Sequence, residues 1–144
     1  MMLSGEQHKT ILIVDDSRSF RLALARFLSG EGYEVLLAED ATDGLEQVRV
    51  HQPCVVIMDV NMPNLDGFDA VRKIREFSSV PIMILSVRGS EMDRCLGSAA
   101  GANSYLAKPF SASELLAHIE GLANPTSAAR RVRRPGRELW CGQP

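Results

Sequence analysis

Five short apolar runs recur along the chain, each followed by a segment whose apolar positions return every three or four residues. The runs are Lys9 to Val14, Tyr33 to Ala38, Cys54 to Met58, Ile82 to Leu85 and Ser104 to Ala107. They are too short for helices, rich in branched side chains and bounded by Gly, Pro, Asp or Ser, so they read as buried strands. After the first run, Phe20, Ala23, Leu24, Phe27 and Leu28 fit the i, i+3, i+4, i+7, i+8 stripe of an amphipathic helix, with Arg18, Arg21 and Arg26 off the stripe. Ser17 can cap this helix, and Gly30 and Gly32 stop it. Ala41, Leu45 and Val48 form a second stripe, opened by the side chain of Asp40 or of Thr42. Phe68, Val71 and Ile74 form a third behind a cap at Asp66. From Ser90 to Ala100 the period persists through Met92, Cys95, Leu96 and Ala99, but Gly97 and Ser98 weaken it. Ser111 and Glu114 make a capping box for a last helix carrying Leu115, Ile119 and Leu122 on one face.

A strand–helix unit repeated five times, with strands apolar on both sides, predicts a parallel sheet covered on both faces. Right-handed crossovers then give an α/β, doubly wound (βα)5 sandwich of the flavodoxin-like kind, with a five-stranded sheet in the order 2-1-3-4-5. The length of 144 residues fits one such domain. Its expected extent is 9–124, after a flexible stretch over 1–8. Residues 125–144 break the pattern with three prolines and carry five arginines against one glutamate. Of the net charge of −2, that segment holds +4 and leaves −6 for residues 1–124. It reads as a basic, disordered tail.

Cys54, Cys95 and Cys141 lie far apart with no C-x-x-C pair, which argues against zinc or a disulfide framework. Cys54 and Cys95 read as small buried hydrophobes, and His8, His51 and His118 as surface residues. No apolar run approaches the ~20 residues of a membrane helix. The first ten residues lack a signal-peptide core. A cytoplasmic protein with no membrane insertion is predicted.

Ligands of open parallel sheets bind at the carboxyl ends of the strands. There the chain places Asp15 and Asp16 after the first strand, Asp59 at the third, Ser86 at the fourth and Lys108 after the fifth. Three converging carboxylates raise one another's pKa, and a divalent cation relieves them. Oxygen-only ligation suits Mg²⁺. A carboxylate beside a cation and an ammonium can accept a phosphoryl group, because an oxygen nucleophile is present and charge is neutralised.

With these pieces in order, the sequence resembles the receiver domain of bacterial two-component response regulators (CheY-like). The carriers are residues 11–17 (Ile-Leu-Ile-Val-Asp-Asp-Ser), 58–67 (Met-Asp-Val-Asn-Met-Pro-Asn-Leu-Asp-Gly), 81–86 (Pro-Ile-Met-Ile-Leu-Ser) and 101–110 (Gly-Ala-Asn-Ser-Tyr-Leu-Ala-Lys-Pro-Phe). Each is weak alone; together, in order and each at a strand end, they are specific, and the resemblance extends over residues 9–123. The resemblance implies that Asp59 accepts a phosphoryl group from a histidine kinase, a histidine phosphotransfer protein or acetyl phosphate. Asp16, Asp59 and the backbone carbonyl of Asn61 would bind Mg²⁺, with Asp15 acting through water. Lys108 would pair with the phosphoryl oxygens, and its bond to Pro109 would be cis. Ser86 would move its hydroxyl onto the phosphoryl group and Tyr105 would turn inward. The face of the fourth helix, fifth strand and fifth helix would then change its binding of a downstream protein, with dimerisation on phosphorylation as one form of output. Asn61, Val87 and Arg88 would tune the phosphoryl lifetime, Val87 standing where the family usually has a smaller residue. Slow self-dephosphorylation is implied, without turnover of an independent substrate.

Singly, each feature has an ordinary explanation. An acid pair caps helices, a strand-end serine bonds to backbone, and a lysine is usually a solvated charge. Jointly these would require five coincidences at one sheet edge. Two other functions compete with this one. An aspartate-nucleophile phosphatase of the haloacid dehalogenase type needs a second Asp two positions after the first, where Asn61 stands. A regulator contacting nucleic acid would use the arginine-rich tail. No recognised DNA-binding unit follows residue 124, which argues against sequence-specific DNA binding.

Overall fold

The computed structural model describes residues 9–60, 67–87 and 91–124. Among these residues ten elements alternate: β1 (Thr10–Val14), α1 (Arg18–Gly30), β2 (Glu34–Ala38), α2 (Ala41–His51), β3 (Val55–Asp59), α3 (Gly67–Arg75), β4 (Ile82–Ser86), α4 (Glu91–Ala100), β5 (Ser104–Ala107) and α5 (Ala112–Ala123). The five strands form one sheet in the order β2-β1-β3-β4-β5, and every neighbouring pair is parallel.

Strand geometry explains why the runs are apolar throughout. Successive side chains point to opposite faces, and both faces are covered. Ile11 and Ile13 of β1, Val55 and Ile57 of β3 and Met83 and Leu85 of β4 pack with Leu24 and Leu28 of α1 and Leu115, Ile119 and Ala123 of α5. Their alternates, Leu12, Val14, Val56, Met58, Ile82 and Ile84, pack with Ala41 and Val48 of α2, Ala70, Val71 and Ile74 of α3 and Ala100 of α4. One strand thus feeds two half-cores. Truncating a fully buried residue such as Leu12 or Ile57 to Ala would cost about 2–5 kcal/mol.

The helix ends follow local chemistry. The Ser17 side chain accepts from the Phe20 amide at the start of α1, and Gly32, at φ +98°, turns the chain into β2. Asp40, not Thr42, opens α2 by accepting from Asp43 N at 2.8 Å. The capping box of Ser111 and Glu114 is formed in both directions. Gly101, at φ +113°, ends α4. The weak period of α4 has a packing reason: a Cβ on Gly97 would stand 2.8 Å from Ile84 Cδ1, so the glycine lets α4 lie close against β4.

Beyond α4, Arg75 ties three segments together. Its guanidinium donates to Gly101 O (2.9 Å), Ser78 O (3.1 Å) and Asn103 Oδ1 (2.8 Å), and Asn103 Oδ1 also accepts from Ile82 N. Burial lowers the Arg75 pKa.

Several expectations need correction. Cys54 is exposed: β3 starts one residue later, and Pro53 takes the buried position instead. Cys95 is only half-buried. His118 is half-buried rather than freely exposed. Residue 118 of α5 lies over the start of β5, where Nδ1 sits 2.7 Å from Ser104 Oγ, and burial lowers its pKa. His51 is exposed, as expected. The cap at Asp66, the flexible stretch 1–8, the tail 125–144, Asn61 and Arg88 lie outside the described residues.

Candidate functional site at the carboxyl edge of the sheet

The register aligns the ends of the central strands. Val14 pairs with Met58, Asp59 with Leu85 and Ser86 with Ala107. The residues that follow or end these strands therefore meet: Asp15 and Asp16 after β1, Asp59 at the end of β3, Ser86 at the end of β4 and Lys108 after β5. The carboxylates of Asp15, Asp16 and Asp59 each offer an oxygen, and these oxygens all lie within 4.8 Å of one another. Lys108 Nζ stands 3.5 Å from Asp59 Oδ2. Backbone bonds hold the frame: Asp15 N donates to Ala38 O at 3.1 Å, Val60 N to Leu85 O at 3.2 Å and Lys108 N to Ser86 O at 2.7 Å. The Lys108–Pro109 bond is cis. Gly67 allows α3 to begin against the strand end, since a Cβ there would stand 2.7 Å from Val60 Cα.

The acid pair divides into unlike members. Asp16 is exposed, whereas Asp15 is 1 % exposed and Asp59 5 %. Asp15 Oδ1 accepts from Ser17 N at 2.8 Å, but its Oδ2 is buried and no donor among the described residues reaches it. Burial is the main reason that the Asp15 pKa is pushed up from 3.8 to about 6. The Ser17 amide opposes the rise, the Asp59 carboxylate adds to it and Lys108 opposes it. An orphaned, buried carboxylate oxygen facing two further carboxylates is a set of hard oxygen donors short of positive charge. That set fits a hard divalent cation.

Ser86 is fully buried, and Tyr105 is 8 % exposed. Tyr105 packs in the half-core under α3 and α4, beside Gly97. Val87, next after Ser86, is 57 % exposed. Sequence reasoning missed two neighbours of the cluster. Arg21, set aside as an off-stripe residue of α1, donates from Nη1 to the backbone carbonyl of Asp15 at 2.6 Å. Its position, one turn after Ser17, could have flagged it, because that turn lies over the end of β1. Phe20 was assigned only to the core stripe, yet the ammonium of Lys108 lies over its ring, 4.3 Å from the centroid.

Comparison with known proteins bears on the family and the fold. A family model described as the response regulator receiver domain matches residues 11–120. The response regulator MprA of Mycobacterium sp. (strain KMS) is 43 % identical over 118 residues, covering 81 % of this chain and 51 % of that protein. The chain thus spans about half the length of the curated relatives it matches. Among solved structures, the chemotaxis protein CheY4 of Vibrio cholerae is 34 % identical and superposes with a TM-score of 0.75, over 81 % of this chain and 99 % of that one. A CheY-like receiver domain protein from Methanospirillum hungatei gives 25 % identity and a TM-score of 0.79, over 85 % and 99 %.

Proposed function

The chain belongs to the response-regulator receiver family of two-component signalling, and on that premise we propose that Asp59 is its phosphoryl acceptor. One observation carries the reading: the buried Asp59 carboxylate stands between two acidic neighbours and the Lys108 ammonium, at the end of the sheet's central strand. In the proposed step, an Asp59 carboxylate oxygen attacks the phosphorus of a phosphohistidine on a histidine kinase or phosphotransfer protein. An O–P bond forms and the P–N bond breaks, and the departing imidazole keeps a proton drawn from solvent. With acetyl phosphate the breaking bond is P–O, and acetate leaves as the anion.

Asp16, Asp59 and the Asn61 carbonyl would hold Mg²⁺, with Asp15 beside it through water. When bound, the ion neutralises the acid cluster and stabilises charge on the transferring oxygens. Lys108 contributes the second positive centre. Ser86 would donate its hydroxyl to the phosphoryl group, a charge-assisted bond made only in the modified state, and such a differential contact shifts a two-state equilibrium. Tyr105 is already buried, so its response is a small adjustment beside Gly97 rather than a swing from solvent. The proposed output is altered binding of a downstream protein on the face of α4, β5 and α5. The receiver unit is taken as residues 9–124. Among the described residues no helix is long and apolar enough to cross a membrane, and a cytoplasmic setting is part of the proposal.

The test is phosphorylation by acetyl phosphate in Mg²⁺. The native protein should take up one phosphoryl group in a base-labile, hydroxylamine-sensitive linkage, and Asp59→Asn should take up none. Full labelling of Asp59→Asn would remove Asp59 from the role.

A further inference from the structure

Among the described residues, the Lys108 ammonium meets two groups of different kinds. Asp59 Oδ2 lies 3.5 Å away, longer than the roughly 2.7–2.9 Å of a charge-assisted hydrogen bond. The centroid of the Phe20 ring lies 4.3 Å away, within range for attraction between a cation and an aromatic face. The ammonium is therefore shared between a carboxylate and a ring.

That ring is itself held in place. The ring of Phe110 meets it edge-on, with centroids 6.3 Å apart at 69°. Phe20 also packs on the half-core of α1 and α5. At its other end, the lysine is fixed by the bond from Lys108 N to Ser86 O. A leucine would satisfy the apolar stripe of α1 equally well, but only an aromatic face offers the ammonium a second seat.

We propose that Phe20 is a positioning residue for Lys108, its ring sharing the ammonium with Asp59 Oδ2 so that this ion pair does not tighten. This rests on the reading of Asp59 and Lys108 given above. Without the ring, the ammonium closes on Asp59 Oδ2. The tightened ion pair must then open before the oxygen can reach phosphorus, and before the ammonium can turn to the phosphoryl oxygens. The ring forms and breaks no bond; it sets where a positive charge rests. A cation–π attraction of ordinary size corresponds to about a 2- to 30-fold effect.

The experiment places mono-, di- and trifluorinated phenylalanine at Phe20 in the full chain. These rings are near-equal in size but have progressively weaker faces. Three quantities are followed: affinity for beryllofluoride in Mg²⁺, the maximal rate and half-saturation with acetyl phosphate, and the thermal midpoint. Affinity and maximal rate should fall stepwise with each fluorine, by about 2- to 30-fold in all, with an unchanged midpoint. Phe20→Tyr should behave as native. A flat series, or one that rises with fluorination, overturns the proposal, because a purely structural ring would show no such order. In the ligand-free protein, the Lys108 methylene protons next to the ammonium should resonate upfield and return to ordinary positions in Phe20→Leu. Absence of that ring-current shift overturns the contact itself. If the native protein takes up neither beryllofluoride nor phosphoryl, the reading of Asp59 falls and this one with it. If it takes up both and the series is flat, only this one falls.

Discussion

Replacing Asp15 with asparagine is expected to stabilise the metal-free protein at neutral pH. Asp15 is buried, its Oδ2 has no donor among the described residues and the Asp59 carboxylate stands close by. Asparagine keeps an Oδ1 to accept from Ser17 N and brings an amide that can donate toward Asp59. A shift from 3.8 to about 6 corresponds to about 3 kcal/mol of disfavoured charge at pH 7, as an order of magnitude. Because the folded-state pKa lies above the unfolded one, the folded chain binds the extra proton. Native stability from this group is thus fully present below about pH 3.8 and is lost as pH rises through about 6. The gap between variant and native should therefore be near zero at about pH 4 and reach about 2–3 kcal/mol at pH 7, roughly 10 °C in Tm for a domain of this size. Urea melts in EDTA at both pH values measure it. Repeating them in Mg²⁺ should raise the native protein by mass action, and the variant less. A variant no more stable than native at pH 7 in EDTA, or a gap that ignores pH, would refute the argument that an uncompensated buried charge sits at this edge.

Further expectations rest on other residues. Gly97→Ala should destabilise the fold by about 1–3 kcal/mol in urea melts, although alanine is the better helix former by about 1 kcal/mol, because its Cβ would meet Ile84 Cδ1 at 2.8 Å. A stabilised variant would show that the terminal methyl of Ile84 gives way at little cost. Burial lowers the His118 pKa, so its contribution is present above the ordinary value of about 6.5 and declines as pH falls toward the folded value. His118→Gln should consequently lose less stability than native between about pH 7.5 and 5.5, and parallel losses would contradict this. Val87→Ala should change the rate of phosphorylation or dephosphorylation with acetyl phosphate, and identical rates would dismiss Val87 as a tuning residue.

The parallel sheet was legible because β1, β3 and β4 are apolar on both alternations, with a polar residue only at one end of each (Thr10, Asp59 and Ser86), which only a sheet covered on both faces requires. The cluster was legible for a related reason. Asp15, Asp59, Ser86 and Lys108 each sit where such a run stops, so topology alone brings them to one edge. What escaped depends on how helices lie across that edge. The roles of Arg21 and Phe20 follow from which side of the first turn of α1 overhangs the end of β1 and the segment after β5, and no period within α1 encodes that. The inequality of Asp15 and Asp16 escaped for the same reason: adjacent carboxylates look alike until one is covered. Cys54 misled because an apolar run does not mark where its own burial begins. His118 misled because a histidine on a helix reads as polar until the strand beneath it supplies a hydroxyl.

The Arg75 cluster has a mechanical meaning. It fastens the end of α3 to Gly101 and Asn103, just beyond the last residue of α4 and at the sheet edge opposite the acid cluster. Helix α4 is therefore a lever pinned at its far end, with its Glu91 end near the strand termini. Ten residues give an arm of about 15 Å. A tilt of about 5° about the pinned end would displace the other by roughly 1 Å. A motion that carried Gly101 and Asn103 along would have to break two bonds from a half-buried guanidinium, whereas a tilt about that end breaks neither.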